Sequence, residues 1–192
     1  MLDELLAHPG VEERVVVAGP VGFMALHGGI EVGSLEVAEE AATRIGASFY
    51  GVLLPPDLWW HVPSTEFSPR HSRRLAAFLG AVSLVFSIHG YGRPEWGDTV
   101  LLGGGNRRVA AELADALARR GMTAETDLER MPTGLRGVHP ANPVNLTEHG
   151  GVQVELPPSL RRGSAAAAVV DALVAVAAAE ARSLCARRGS AR

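Results

Sequence analysis

The stretch VGFMALHGGIEVGSLEVAEEAATRIG, residues 21–46, carries a strand, a turn and a helix in succession. Val21–Leu26 is an apolar run of strand length. Ser34 is the expected N-cap of the helix that follows, with Glu36 and Glu39 near its positive end; the helix runs to about Ile45 and closes at Gly46. A strand leading into a helix is the unit of an α/β layer fold. The join leaves His27 and Glu31 on either side of Gly28-Gly29, and these glycines let the backbone fold tightly enough for both side chains to face one point. One reading is a metal ion held by His27 and Glu31. The other is a plain strand-to-helix turn with Glu31 in solvent, and the spacing alone does not choose between them.

Outward from this unit the same alternation continues. RVVVAG (14–19), SFYGVLL (48–54), VSLVFSI (82–88), DTVLLGG (98–104) and GVQVEL (151–156) read as strands, with Pro20 breaking the first from VGFMAL. RRLAAFLG (73–80) and NRRVAAELADALARRG (106–121) read as helices, the second opened by Asn106 and closed by Gly121. Between 55 and 72 lies a long loop, PPDLWWHVPSTEFSPRHS, rich in aromatic and polar side chains. The expectation is one three-layer α/β domain over residues 1–192, a mixed central sheet with helices on both faces, and fraying from about 183 to 192.

Composition narrows the classes. The chain has 192 residues, 47% of them hydrophobic and 20% charged, as in ordinary soluble domains. A net charge of -3 gives no reason to expect a nucleic-acid partner. The single cysteine, Cys185, excludes an intrachain disulfide. MLDELLAHPGVEE has acids where a signal peptide needs a basic region and an apolar run. AAAAVVDALVAVAAAEA (165–181) is interrupted by Asp171 and Glu180, so a core-facing terminal helix is expected rather than a membrane span. A cytoplasmic, reducing location fits these features.

Three apolar strands end in polar or glycine-rich segments: His27 after VGFMAL, His89 after VSLVFSI, and Gly103–Gly105 after TVLL. Ligands of open α/β sheets gather beyond the carboxyl ends of strands. A hydrolytic zinc site needs about three protein ligands and one open position, and His89 is the distant third ligand for His27 and Glu31. Alone, His89 reads as a hydrogen-bonded core residue. Ser87 and His89 lack both an acid partner and the Gly-x-Ser-x-Gly elbow of a serine hydrolase. Period-two alternation puts Val152 and Val154 on one side of the late strand and Gln153 and Glu155 on the other. Glu155 is then either solvated or held in a cleft, where it suits a general base. GGGNRR opens a helix but lacks the Lys-Ser/Thr of a P-loop. Asn106 reads first as a helix cap, Arg107 as a grip for a substrate carboxylate, His61 as a cleft residue, and Trp59 and Trp60 as core or interface residues.

HGGIEVGSLEVA, WWHVPSTEF, SIHGYG, LLGGGN and HPANPVN…GGVQVELPP follow in this order from about Phe23 to Arg162. The series resembles the poly-gamma-glutamate hydrolase family, which is related in fold to the zinc carboxypeptidases. The resemblance implies a carboxypeptidase-like fold, a zinc ion on His27, Glu31 and His89, and Glu155 as catalytic base. The family's first motif often has one more residue between the His and the Glu, which leaves Glu36 as the alternative carboxylate. Leu146 follows NPVN where an arginine often stands in phage-type members. The activity implied is zinc-dependent hydrolysis of gamma-glutamyl amide bonds, with Asn106, Arg107, Asn145 or Arg161 orienting substrate carboxylates. Because the chain is itself mildly acidic, a smaller gamma-glutamyl or N-acyl amino-acid substrate is a second expectation. A non-catalytic binding or assembly protein on the same scaffold is the reading from another class.

Overall fold

Alternation of apolar and small residues turns the strand-length runs into a seven-stranded sheet with a layer of helices on each face. The computed structural model describes residues 2–190. In chain order the elements are α1 (Leu2–Ala7), β1 (Glu12–Val16), β2 (Val21–Gly28), α2 (Ser34–Ile45), β3 (Ser48–Leu53), α3 (Arg73–Ala81), β4 (Leu84–Gly90), β5 (Val100–Gly103), α4 (Arg107–Ala118), β6 (Ala124–Glu125), β7 (Gly151–Leu156) and α5 (Gly163–Ser190). The strand order is β1-β3-β2-β4-β7-β5-β6. The four central strands β3, β2, β4 and β7 are parallel. β1 runs antiparallel to β3, and β5 runs antiparallel to β7. The sheet is therefore mixed and three-layered, as the sequence predicts.

Each central strand sends alternate side chains to opposite layers. Phe23 and Ala25, Phe86 and Ile88, and Val152 and Val154 pack under α2, α4 and α5. Met24, Leu26 and Val85 face α1, α3 and the loop between β3 and α3. α5 is long and apolar enough to cross a membrane by length and composition, but it packs on α2 and α4, burying Val169, Val170, Leu173, Val176 and Ala177. The two acids that interrupt its apolar run are both paired. Asp171 accepts from Arg44 of α2 at 2.7 Å, and Glu180 takes a two-pronged contact from Arg108 of α4 at 2.9 and 2.8 Å. Helical structure continues to Ser190, beyond the point at 183 where fraying is expected; residues 191 and 192 lie outside the described residues.

The start of α2 differs from expectation. Gly33, in the left-handed region at φ 97°, is the N-cap of α2, and Ser34 is the first helical residue with its hydroxyl buried and unpaired. The reason is the turn before it. Glu31 N–H donates to the His27 carbonyl and Ser34 N–H to the Glu31 carbonyl, so the chain is already coiling when it reaches Gly33. Gly46 closes α2, and the Asn106 side chain caps α4 by accepting from the Val109 N–H, both as the sequence predicts.

Gly29 is where this turn is most demanding. It sits at φ 93°, and a Cβ there would lie 2.5 Å from the Leu54 carbonyl oxygen. Substitution meets both the backbone penalty and a collision with main chain. Gly29→Ala is expected to lower stability by about 1–3 kcal/mol in urea unfolding. Gly46→Ala, at φ 60° with nothing within 4 Å, isolates the backbone penalty alone and is expected to cost less.

Candidate metal centre

Because β2, β4 and β7 are parallel neighbours, their carboxyl ends reach the same edge of the sheet. His27 ends β2, His89 ends β4, and Glu155 ends β7 directly across from His89 in the strand register. The β2–β3 register shifts between Ala25 and Gly28, an irregularity of the kind that re-aims a side chain at a strand end. The turn through Gly28-Gly29 then brings Glu31 back over both histidines.

His27, Glu31 and His89 converge, each offering one ligand atom, with these atoms within 4.8 Å of one another. His27 Nδ1 lies 2.9 Å from Glu31 Oε1 and 3.2 Å from His89 Nδ1. His89 Nδ1 is 3.3 Å from Glu31 Oε2, which also accepts from the Gly90 N–H at 3.0 Å. The far side of each ring is tied down. His27 Nε2 is 2.8 Å from the Val62 carbonyl, which can only accept, so Nε2 carries a proton and Nδ1 is the nitrogen turned toward the cluster. His89 Nε2 lies 3.0 Å from the Ser87 hydroxyl. Both histidines are almost fully buried, at 3% and 2% exposure.

Two imidazole nitrogens and a carboxylate that face one another need a positive charge between them. Burial disfavours protonated His89, yet the charge and hydrogen bond of Glu31 outweigh it and raise its pKa above the ordinary histidine value. Burial likewise opposes ionisation of Glu31, but the two histidines hold its carboxyl well below the usual range. The cluster thus draws in a cation, and a nitrogen–nitrogen–carboxylate set with its outer nitrogens already hydrogen-bonded is the donor chemistry of a metal site.

Beside it, Glu155 is 3% exposed. Burial is the main cause that pushes its pKa up to about 7, with Glu31's charge adding to the rise while His89 and a hydrogen bond from Gln153 oppose it. Gln153 Nε2 donates to Glu155 Oε1 at 2.8 Å, and Asn142 Nδ2 donates to Gln153 Oε1 at 2.9 Å. One carboxylate oxygen is therefore held in place. Period-two alternation placed Gln153 on the face of Glu155, a signal that its partnership was readable; Asn142 comes from a distant loop and carried no such mark. The same is true of the Val62 carbonyl, a main-chain group with no sequence signature.

These groups line a cleft of about 820 Å³, walled by the 55–67 loop on one side and the 133–142 loop on the other. His61 lies here, its ring centroid 4.5 Å from that of His27, with burial and the charge of His27 lowering its pKa. Arg161 lines the cleft as well. Trp59, expected in a core or interface, stands 79% exposed at the rim, while Trp60 packs against the α1–α3 layer.

Three candidate substrate residues lie elsewhere. β5 is antiparallel to β7, so its carboxyl end and the GGGN segment point to the opposite edge of the sheet. Asn106 and Arg107 line a separate pocket there. Arg107 spends its guanidinium on the carbonyls of Leu102, Gly104 and Thr126, and Asn106 caps α4. Asn145 ties loops together, accepting from the Gly105 N–H and donating to the carbonyls of Gly137 and His139. Glu36, the alternative carboxylate, is exposed on α2 and outside the cluster.

No curated protein matches the chain in sequence. Among solved structures, a bacteriophage poly-gamma-glutamate hydrolase superposes with a TM-score of 0.76 at 24% identity, covering 91% of each chain. The zinc-free apo form of YNDL gives 0.76 at 24% identity, covering 87% of this chain and 89% of that one. A gene product of Agrobacterium tumefaciens gives 0.60 at 12% identity, covering 91% and 94%. These likenesses concern the fold. The family model described as poly-gamma-glutamate hydrolase matches residues 3–166, and on that match the chain belongs to the poly-gamma-glutamate hydrolase family.

Proposed function

We propose that the protein is a zinc-dependent hydrolase that cuts gamma-glutamyl amide bonds with Glu155 as general base. The observation that carries this reading is the convergence of two inward-turned imidazole Nδ1 atoms and the Glu31 carboxylate next to a second, separately held buried carboxylate. Two histidines and one carboxylate are the ligand set of catalytic zinc in several hydrolases, and a three-ligand site leaves a position open. Zinc bound there supplies a Lewis acid that polarises the scissile carbonyl and activates water.

The chain's own groups do the rest. Gln153 holds Oε1 of Glu155, so Oε2 takes the water proton and later delivers it to the departing nitrogen. Val62 and Ser87 keep the two imidazoles turned with Nδ1 inward. His61 covers His27 from the cleft side. Apart from Glu31 and Glu155, no acid is among the described residues that line the cleft, whereas Arg93 and Arg161 are. A polyanion repelled weakly by a chain of net charge -3 thus meets local positive charge where it has to bind. A cytoplasmic location belongs to the same reading and is supported by a single cysteine with no disulfide partner.

Purified protein is expected to hold about one zinc per chain, measured by metal analysis, and to release glutamate oligomers from a gamma-linked polymer. Glu155→Gln is expected to keep the metal and to lose about 10²–10⁴-fold in kcat. Full activity in that variant would falsify the assignment of the base.

Burial of Glu155 also makes a stability prediction for the metal-free protein. Its folded pKa, about 7, lies above the ordinary 4.5. The ionised carboxylate therefore destabilises the fold above pH 7, and this cost fades as pH falls from 7 to 4.5 and vanishes below 4.5, where the group is protonated in folded and unfolded chains alike. In the presence of a chelator, Glu155→Gln is expected to gain on the order of 2–3 kcal/mol at pH 8 and under about 1 kcal/mol at pH 5, read from urea unfolding.

A further inference from the structure

Gln153 is held by three residues of the loop that walls one side of the cleft. Its Nε2 donates to the Leu135 carbonyl at 3.3 Å as well as to Glu155 Oε1 at 2.8 Å. Gly137, at φ 62°, passes so close that a Cβ there would stand 2.5 Å from Gln153 Oε1. Asn142 Nδ2 donates to that same Oε1 at 2.9 Å. Asn142 is itself held, its Oδ1 accepting from the Val144 N–H at 3.2 Å. Asn142 and Gln153 are each 4% exposed, too buried for bulk water to replace a missing partner.

A side-chain amide keeps its shape when it is turned end for end, so its sense is set by the partners at each end. Here both senses are set by main-chain groups that allow one answer. The Val144 N–H can only donate, so its partner on Asn142 is the oxygen, and the Asn142 amide N–H is sent toward Gln153. The Leu135 carbonyl can only accept, so its partner on Gln153 is the nitrogen. The two anchors agree. Every donor in the series Val144, Asn142, Gln153 points onward to the next member, and the series ends on Glu155 Oε1.

We propose that Asn142 is a positioning residue for the base: by fixing the sense of the Gln153 amide, it bars a proton from Oε1 of Glu155 and leaves Oε2 as the one oxygen that carries it. The proposal rests on the hydrolase reading above. A proton on Oε1 would point straight at the Gln153 N–H, so that oxygen can only accept. A buried carboxyl group that has taken up a proton donates it to whatever acceptor is nearest. Were Gln153 turned over, its carbonyl would be that acceptor, and Glu155 would hold the proton in an O–H···O=C bond rather than pass it to the departing nitrogen. The one-way series removes this resting place. Neither Asn142 nor Gln153 has to touch substrate to do so.

The test measures kcat and KM on a short gamma-linked glutamate oligomer for Gln153→Met, Asn142→Leu and the double variant. Both replacements keep the side chain's bulk and delete its hydrogen bonds. Gln153→Met is expected to lower kcat by about tenfold to a hundredfold, with KM within about twofold of wild type and the zinc content kept. Asn142→Leu should lower kcat by a smaller factor, and should add less than about twofold once residue 153 is Met, because it acts only through Gln153. Losses that multiply in the double variant, a rise in KM in place of the fall in kcat, or no loss at all overturns the proposal. Should Asn142→Leu fail to fold, Asn142→Ser takes its place. If the zinc-supplemented wild-type protein cuts no glutamyl amide, the hydrolase reading fails by itself, and NMR of the Gln153 side-chain amide decides the role of Asn142. Exchange of those N–H protons with solvent that is at least about tenfold faster in Asn142→Leu than in wild type supports the hold on Gln153; equal exchange overturns it.

Discussion

Two histidine nitrogens held 3.2 Å apart, with oxygens of one carboxylate beside both, make a contact that is stable only around a positive charge. Much of the architecture serves to impose that contact. Three parallel strands deliver His27, His89 and Glu155 to one edge, and hydrogen-bond register sets His89 opposite Glu155. A glycine turn too tight for any other residue folds Glu31 back over the histidines. Val62 and Ser87 occupy the outer ring nitrogens, so each imidazole has a single face left to offer. The unfavourable electrostatics of this cluster are carried by a sheet with an apolar cluster packed on each face, which is the usual division between a rigid scaffold and a strained site.

The two carboxylates show how environment separates roles that residue type alone leaves equal. Glu31 is surrounded by hydrogen-bond donors and histidines and stays ionised. Glu155 is more deeply buried and meets one amide donor, and its pKa climbs to about 7. One is thereby suited to hold a cation and the other to exchange a proton near neutral pH, the pattern by which paired carboxylates divide their work. The arginines follow a similar logic. Arg107 is consumed by main-chain carbonyls, whereas Arg161 keeps an N–H unsatisfied within the cleft.

Much of this was legible in the residue pattern, and the parts that were not share a physical cause. Apolar runs, glycine ends and period-two alternation located β2, β4 and β7 and put Glu155 and Gln153 on one face. The direction of β5 could not be read, because a four-residue buried strand looks the same whichever way it runs; Asn106 and Arg107 were therefore expected at the wrong edge. Ser34 resembles an N-cap by type, but the coil begun at His27 shifts the cap to Gly33. The sequence favoured Glu31 over Glu36 without fixing the choice, since that depends on a turn whose tightness comes from the approach of Leu54, the residue that follows β3. The loops that wall the cleft act largely through main-chain carbonyls and amides, which every residue has.

The central claim is that His27 Nδ1, His89 Nδ1 and Glu31 bind one zinc ion together. Anomalous X-ray scattering at the zinc edge, from crystals of protein grown with zinc, tests it most directly. The account predicts a single strong peak bonded to those three side chains, with Glu155 beside it but not bonded to it. A peak bonded through the Nε2 atoms, a peak at Glu36, or no peak among these residues would contradict it.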